Sequence, residues 1–221
     1  MKRFSKPLLM LTAMFCLMGF ASVQSAKADP LAIGANIAGP SNTTFQGGTV
    51  LALISNMVAS ATFTGTARSA VVRNAAGTLD FYFQFTNNGP SDIGRLSFFN
   101  FDGFTTDVFN VTNGSAIGAA GFINGTVDST TVDRGINPAT NAVGFNFAAG
   151  AFTTGTTSLA LLVRTNATDF QAGTFNIING SVAATPSFAP AAAIPEPATM
   201  LLLGTGLAGV AAKVRRRRKA E

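Results

Sequence analysis

In Leu79-Asp80-Phe81-Tyr82-Phe83-Gln84-Phe85 an aliphatic or Phe side chain falls at every second position. Alternation of period two fits an extended strand and excludes a helix, whose faces repeat every 3.6 residues. Leu79, Phe81, Phe83 and Phe85 are expected to face a core, with Asp80, Tyr82 and Gln84 on the other face. Further strands are expected at 49–54, at 61–73 with a bend at Gly65, and at 93–101, 104–111, 142–148, 158–164 and 174–183. Asn-Gly at 88–89, 113–114, 124–125 and 179–180, and Asp-Gly at 102–103, are pairs that accept the positive φ of tight turns. Residues 29–193 hold 17 Phe and 23 Thr, which favour strands, and 16 Asn and 19 Gly, which favour turns. These observations predict an all-β domain over 29–183, an antiparallel β-sandwich with a jelly roll as one version. The Ala- and Pro-rich stretch 184–193, with Pro186 and Pro190, reads as a spacer.

The chain of 221 residues carries a formal net charge of +5, yet its charge is segregated. Residues 29–193 contain five Arg against eight Asp, which leaves that section at −3, with no Lys and no Glu. The excess basicity lies at the two ends. A nucleic-acid surface needs a basic patch on the fold to displace phosphate counterions, and this section offers none. The chain has no His, which excludes an imidazole relay, and its single Cys excludes a Cys/His zinc site.

The N-terminal end has three ordered parts. Lys2, Arg3 and Lys6 precede an apolar run from Leu8 to Phe20, and Ala26-Lys27-Ala28 supplies small residues at Ala26 and Ala28. This is the pattern of a secretory signal peptide spanning 1–28, with a mature start at Asp29. It implies a secretion translocon and a signal peptidase as partners. Cys16 lies within the apolar run, so the exported chain keeps neither thiol nor disulfide.

The C-terminal end begins with Pro195-Glu196-Pro197. An uncharged stretch at 198–212 follows, and then Lys213, Arg215, Arg216, Arg217, Arg218 and Lys219 within the tail 213–221. Fifteen helical residues span roughly 22 Å, short of the ~30 Å hydrocarbon core, but a snorkelling Lys213 and apolar Val214 extend a marginal transmembrane helix. The basic cluster acts as a stop-transfer tail and stays cytoplasmic, so the section between the ends is translocated. Pro195 and Pro197 fix φ and disfavour helix in the residues before them, which holds the segment extended.

This ordered triple over 194–221 resembles the PEP-CTERM sorting signal of Gram-negative bacteria. The resemblance implies that an exosortase, a membrane cysteine transpeptidase, recognises the signal and cleaves near Pro195-Glu196-Pro197. It also implies an association with exopolysaccharide, biofilm or floc. The stretch Phe63 to Val108 is broadly similar to ectodomains found ahead of such signals, a similarity that carries no activity.

Chemistry within the domain rests on Asp alone. Asp102 and Asp107 flank one short loop, and Asp128 and Asp133 flank another. Converging carboxylates serve glycosidases, and carboxylates with carbonyls bind Ca²⁺, but neither pair has an EF-hand or repeat-in-toxin spacing. Turn capping and solubility explain the Asp residues more simply. The five Arg are expected to pair with Asp or to cover strand edges. Alternation assigns the Phe side chains to packing rather than to sugar stacking. No catalytic residue, metal or cofactor is expected, nor a nucleic-acid partner. The expectation is a non-catalytic envelope or extracellular-matrix protein, exported across the inner membrane. It is anchored there before processing and then resides at the cell surface or outside. The alternative is a secreted carbohydrate-binding or polysaccharide-active protein using Asp.

Overall fold

The computed structural model describes residues 29–118, 121–136, 141–192 and 205. Their strands are Asn36–Ala38 (β1), Asn42–Thr43 (β2), Thr49–Ala59 (β3), Phe63–Arg73 (β4), Leu79–Pro90 (β5) and Arg95–Phe98 (β6). Thr106–Val111 (β7), Thr131–Arg134 (β8), Val143–Asn146 (β9), Ala160–Thr165 (β10), Asp169–Asn179 (β11) and Ser181–Ala191 (β12) complete the set. One 3₁₀ turn occupies Gly114–Ile117. Among the described residues no helix is long and apolar enough to cross a membrane. The expected signal peptide at 1–28 and the expected helix at 198–212 lie outside the described residues, Thr205 excepted.

Two six-stranded sheets form, ordered β1-β8-β9-β6-β11-β12 and β2-β7-β10-β5-β4-β3. The all-β expectation holds for these residues. The expectation of a purely antiparallel arrangement needs one correction, because β2 pairs parallel to β7 while every other pair is antiparallel. Several consecutive strands pass from one sheet to the other, β5 to β6, β6 to β7 and β7 to β8 among them.

The alternation in β5 sets the core. Phe81, Phe83 and Phe85 are fully buried between the sheets. The Phe83 ring stacks on Phe98 of the opposite sheet at 3.6 Å between centroids and meets Phe175 edge-on at 5.8 Å. Phe81 packs edge-on against Phe101, and Phe85 against Phe63 and Phe152. Each such pair contributes about 0.5–1.5 kcal/mol beyond the area it buries. None of the seventeen Phe between 29 and 193 is exposed.

The other face of β5 is not solvent. Asp80, Tyr82 and Gln84 are as buried as the Phe row. Tyr82 belongs to a second apolar cluster with Val72, Phe109, Val111 and Leu162, roofed by Ile117 and Phe122 and flanked by Phe45. Gln84 fastens this roof: its Nε2 donates to the carbonyls of Ile123 at 2.8 Å and Ser158 at 3.0 Å, and its Oε1 accepts from the Ile123 amide at 3.0 Å.

β4 runs through Gly65 from Phe63 to Arg73, and the expected bend falls at an irregularity in its pairing with β5. A Cβ there would overlap the Phe85 ring and the Thr86 carbonyl, and a bulge separates Thr64 from Gly65 in the pairing with β5. Glycine is required because the neighbouring strand lays an aromatic ring across it.

The C-terminal boundary of the domain is corrected. Residues 174–183 are not one strand: Gly180, at φ +62°, turns the chain from β11 into β12. The expected spacer at 184–193 is mostly β12, paired with β11 along its whole length, from Asn179↔Ser181 to Asp169↔Ala191. Its prolines are tolerated because β12 is an edge strand. Pro186 and Pro190 lie an even number of residues apart, so both turn their amide-less nitrogens away from β11. Ala183, Thr185, Ser187 and Ala189 alternate inward and are buried. A chain ended at Ala183 should therefore be insoluble or lack cooperative unfolding, whereas one ended at Ala192 should melt in a single transition. Thermal denaturation followed by circular dichroism compares the two, and a normal transition for the shorter chain would refute the assignment of β12 to the fold.

Candidate functional site

The section between the expected processing points is engaged from its first residue. Leu31 donates its amide to the Thr106 carbonyl at 2.8 Å, and the Asp29 carbonyl accepts from the Val108 amide at 3.1 Å. The Asp29 carboxylate also accepts from the Ser41 amide. At the other end, Gln171 Nε2 donates to the Pro190 carbonyl at 3.0 Å, and Phe170 meets Phe188 edge-on at 5.6 Å. The fold is thus fastened up to Ala191. The sequence-predicted sites at Ala26, Ala28, Pro195, Glu196, Pro197, Lys213, Arg215, Arg216, Arg217, Arg218 and Lys219 lie outside the described residues.

The Asp pairs do not assemble. Asp128 is exposed in a loop, while Asp133 stands on β8 in an ion pair with Arg95, whose Nη2 donates to Oδ1 at 2.7 Å. Asn146 Nδ2 donates to the same carboxylate at 2.8 Å. The Arg95 guanidinium lies across Gly144, where any Cβ would overlap it. Burial pushes the Asp133 carboxyl up, but the hydrogen bonds from Arg95 and Asn146 and the Arg95 charge outweigh it and hold it below the usual range. Asp102 is exposed and accepts from Asn141 Nδ2 at 3.2 Å. Among the described residues no group of three His, Cys, Asp or Glu is placed to hold a metal ion.

A polar cluster that the sequence did not single out lies at one end of the second sheet. Asp80, buried on β5, receives Arg164 Nη2 at 3.1 Å and Asn74 Nδ2 at 2.8 Å. Arg164 also sits 5.6 Å over the Phe109 ring. Asp107 stands opposite Arg164 in the β7–β10 register and is half-buried. Burial raises its pKa, Arg164 opposes this, and Asp29 adds to it, with a net rise. Together with Gln46, Asn74, Thr105 and Asn166, Asp107 and Arg164 line an open hollow of about 430 Å³. The Tyr82 hydroxyl is buried nearby without a hydrogen bond of ordinary geometry, and burial, then the Asp80 charge, push its ionisation well above the usual phenol range.

The Arg residues divide by role. Arg95 and Arg164 pair with Asp as expected, but Arg68 donates to Thr86 Oγ1 at 2.8 Å, and Arg134 is buried among neutral acceptors. Arg134 Nε donates to Asn141 Oδ1 at 2.8 Å, Nη1 to Thr106 Oγ1 at 3.0 Å and the Leu31 carbonyl at 3.3 Å, and Nη2 to the carbonyls of Phe101 and Phe104 at 2.6 and 3.0 Å. Every N–H of the guanidinium is used. This one side chain ties the N-terminal segment to the β6–β7 loop and to the loop before β9.

A family model of the PEP-CTERM protein-sorting motif matches residues 193–218. The chain carries a PEP-CTERM sorting motif. No curated protein and no solved structure matches the chain. The motif implies export with membrane-anchored sorting in a Gram-negative bacterium, and an exosortase as processing partner. It begins two residues beyond Ala191, so the PEP-CTERM signal directly follows the last strand of the folded domain.

Two outcomes follow from these side chains. Replacing Arg134 by Met should lower stability by about 3 kcal/mol, since it strands buried acceptors, while Asp128→Ala should stay within about 0.5 kcal/mol. Denaturant titration of both variants measures the difference. Asp107, with its pKa raised in the folded state, opposes folding above that pKa and not below its unfolded value. Asp107→Asn should therefore raise the melting temperature at pH 7, with the gain shrinking to nothing as pH falls below the carboxylate range. A gain that grows toward low pH would contradict this sign.

Proposed function

We propose that the chain is a non-catalytic envelope or extracellular-matrix protein, exported through an N-terminal signal peptide. It is held by a C-terminal transmembrane helix and then processed by an exosortase at Pro195-Glu196-Pro197. The observation that carries the reading is the PEP-CTERM motif at 193–218, placed immediately after a domain of opposite charge character. An association with exopolysaccharide, biofilm or floc follows from the motif's family.

The domain's own chemistry supports a non-catalytic role. Of the carboxylates singled out in the sequence, Asp133 is committed to an ion pair, Asp102 to a hydrogen bond, and Asp128 stands apart in solvent, while Asp107 alone lines the hollow; no Phe is offered as a stacking platform. A carbohydrate-binding role ranks second. It is favoured by the hollow beside Asp107 and Arg164, where Arg164 Nη1 and the Asp107 carboxylate have no hydrogen-bond partner among the described residues.

Mass spectrometry of the mature protein should find its ends near Asp29 and near Pro195. Deleting 194–197 should abolish C-terminal processing while leaving export intact. A surface-exposed product that keeps Lys213–Glu221 would overturn the reading.

A further inference from the structure

Two open sheets present four edges, and three of them are guarded. β1 has three residues and β2 has two, too short to template another strand. β12 is long but carries Pro186 and Pro190, which leave gaps in any row of donors. β3 is different. It runs eleven residues, Thr-Val-Leu-Ala-Leu-Ile-Ser-Asn-Met-Val-Ala, with no proline and no charge. Its backbone bonds only to β4, and no other backbone hydrogen bond among the described residues reaches Thr49–Ala59. A bulge between Val50 and Ala52 disturbs its start, but Ala52–Ala59 pairs regularly with β4. That leaves an edge of eight residues, about 27 Å long.

The side chains on this edge suit another strand. Ser55 and Met57 point outward, and Met57 is 79% exposed. Asn56 faces the other way and donates to Thr185 Oγ1 of β12 at 3.0 Å, which pins the edge to the opposite sheet. Among the described residues the edge is tethered by this bond and unpaired.

We infer that β3 is an interface for a second copy of this chain, joined antiparallel along Ala52–Val58 with Ser55 opposite its own copy, into a continuous twelve-stranded sheet. Charge does not oppose self-pairing. A strand with charges meets its own like charges across a two-fold axis, and such pairs oppose association, whereas β3 presents none. The guarding of the other edges argues for closure. An isologous pairing uses β3 of both copies, and the edges that remain carry devices against further growth, so the product is a dimer and not a fibre. The inference does not depend on how the chain is sorted.

The test uses the full chain in a mild non-ionic detergent. Light scattering after size exclusion should give a dimer, and Ser55→Lys with Met57→Lys should raise its dissociation constant at least tenfold, with circular dichroism unchanged. In a Cys16→Ser background, Ser55→Cys should form an intermolecular disulfide under oxidation, while Ala184→Cys on the proline-guarded edge should not. The disulfide arm decides the matter if the lysine variant fails to fold. A monomeric parent chain overturns the proposal, as does a dimer that the lysines leave intact. A monomer whose β3 amides exchange slowly overturns it as well, by showing that another part of the same chain covers the edge.

Discussion

The fold hangs on burial of both faces of β5. One face carries Phe81, Phe83 and Phe85, which need the first sheet opposite them to leave water. The other carries Asp80, Tyr82 and Gln84, of which the carboxylate and the amide are costly to bury without partners. The chain meets that second demand with Arg164 and Asn74 for the carboxylate, and with the Ile123 backbone and the Ser158 carbonyl for the amide. The loop that includes Gly114–Ile117 therefore acts as a third layer, and Ile117 and Phe122 close it. A strand flanked by water on its polar face would have required none of this.

That requirement explains where the sequence was legible and where it was not. Period-two alternation reported the extended conformation of 79–85 and the inward direction of its Phe row. It could not report that the polar face is buried, because burial there depends on Ile123, Ser158 and Arg164, which lie 39, 74 and 84 positions from their partners. β12 was hidden for a related reason. Its inward residues are Ala183, Thr185, Ser187 and Ala189, too small to register as apolar alternation, and its prolines resemble a linker unless the strand is known to lie at an edge. β8 is four residues, Thr-Val-Asp-Arg, and is a strand by virtue of its neighbours β1 and β9. The sorting signal was legible because its parts are contiguous and their order is the information. The cluster of Asp80, Arg164 and Asp107 comes from three strands, and only the topology brings them together.

The segregation of charge has a structural counterpart. Within the domain, ionic groups are few: Arg95 pairs with Asp133 on one sheet, Arg164 pairs with Asp80 on the other and stands beside Asp107, and Arg134 donates to carbonyl, amide and hydroxyl oxygens. An arginine held directly by neutral acceptors needs no direct ion pair to keep its place, and the Asp102 carboxylate reaches it through Asn141 and at a distance. Such a clamp suits a domain that meets variable surroundings after export.

The position of β12 also bears on processing. From Ala191 to Pro195 the chain advances four residues, and an extended chain covers at most about 14 Å over that length. Gln171, Phe170 and Phe188 fasten the strand up to its end. On the proposed reading, an enzyme acting at Pro195-Glu196-Pro197 must therefore approach within that distance of a folded sheet edge. The prolines in β12 then have a second consequence. They blunt the edge nearest the processing point, so an extended substrate segment that leaves the fold there finds no continuous row of donors to pair with on its own domain. The edge position that tolerates these prolines is thereby left without a continuous row of donors.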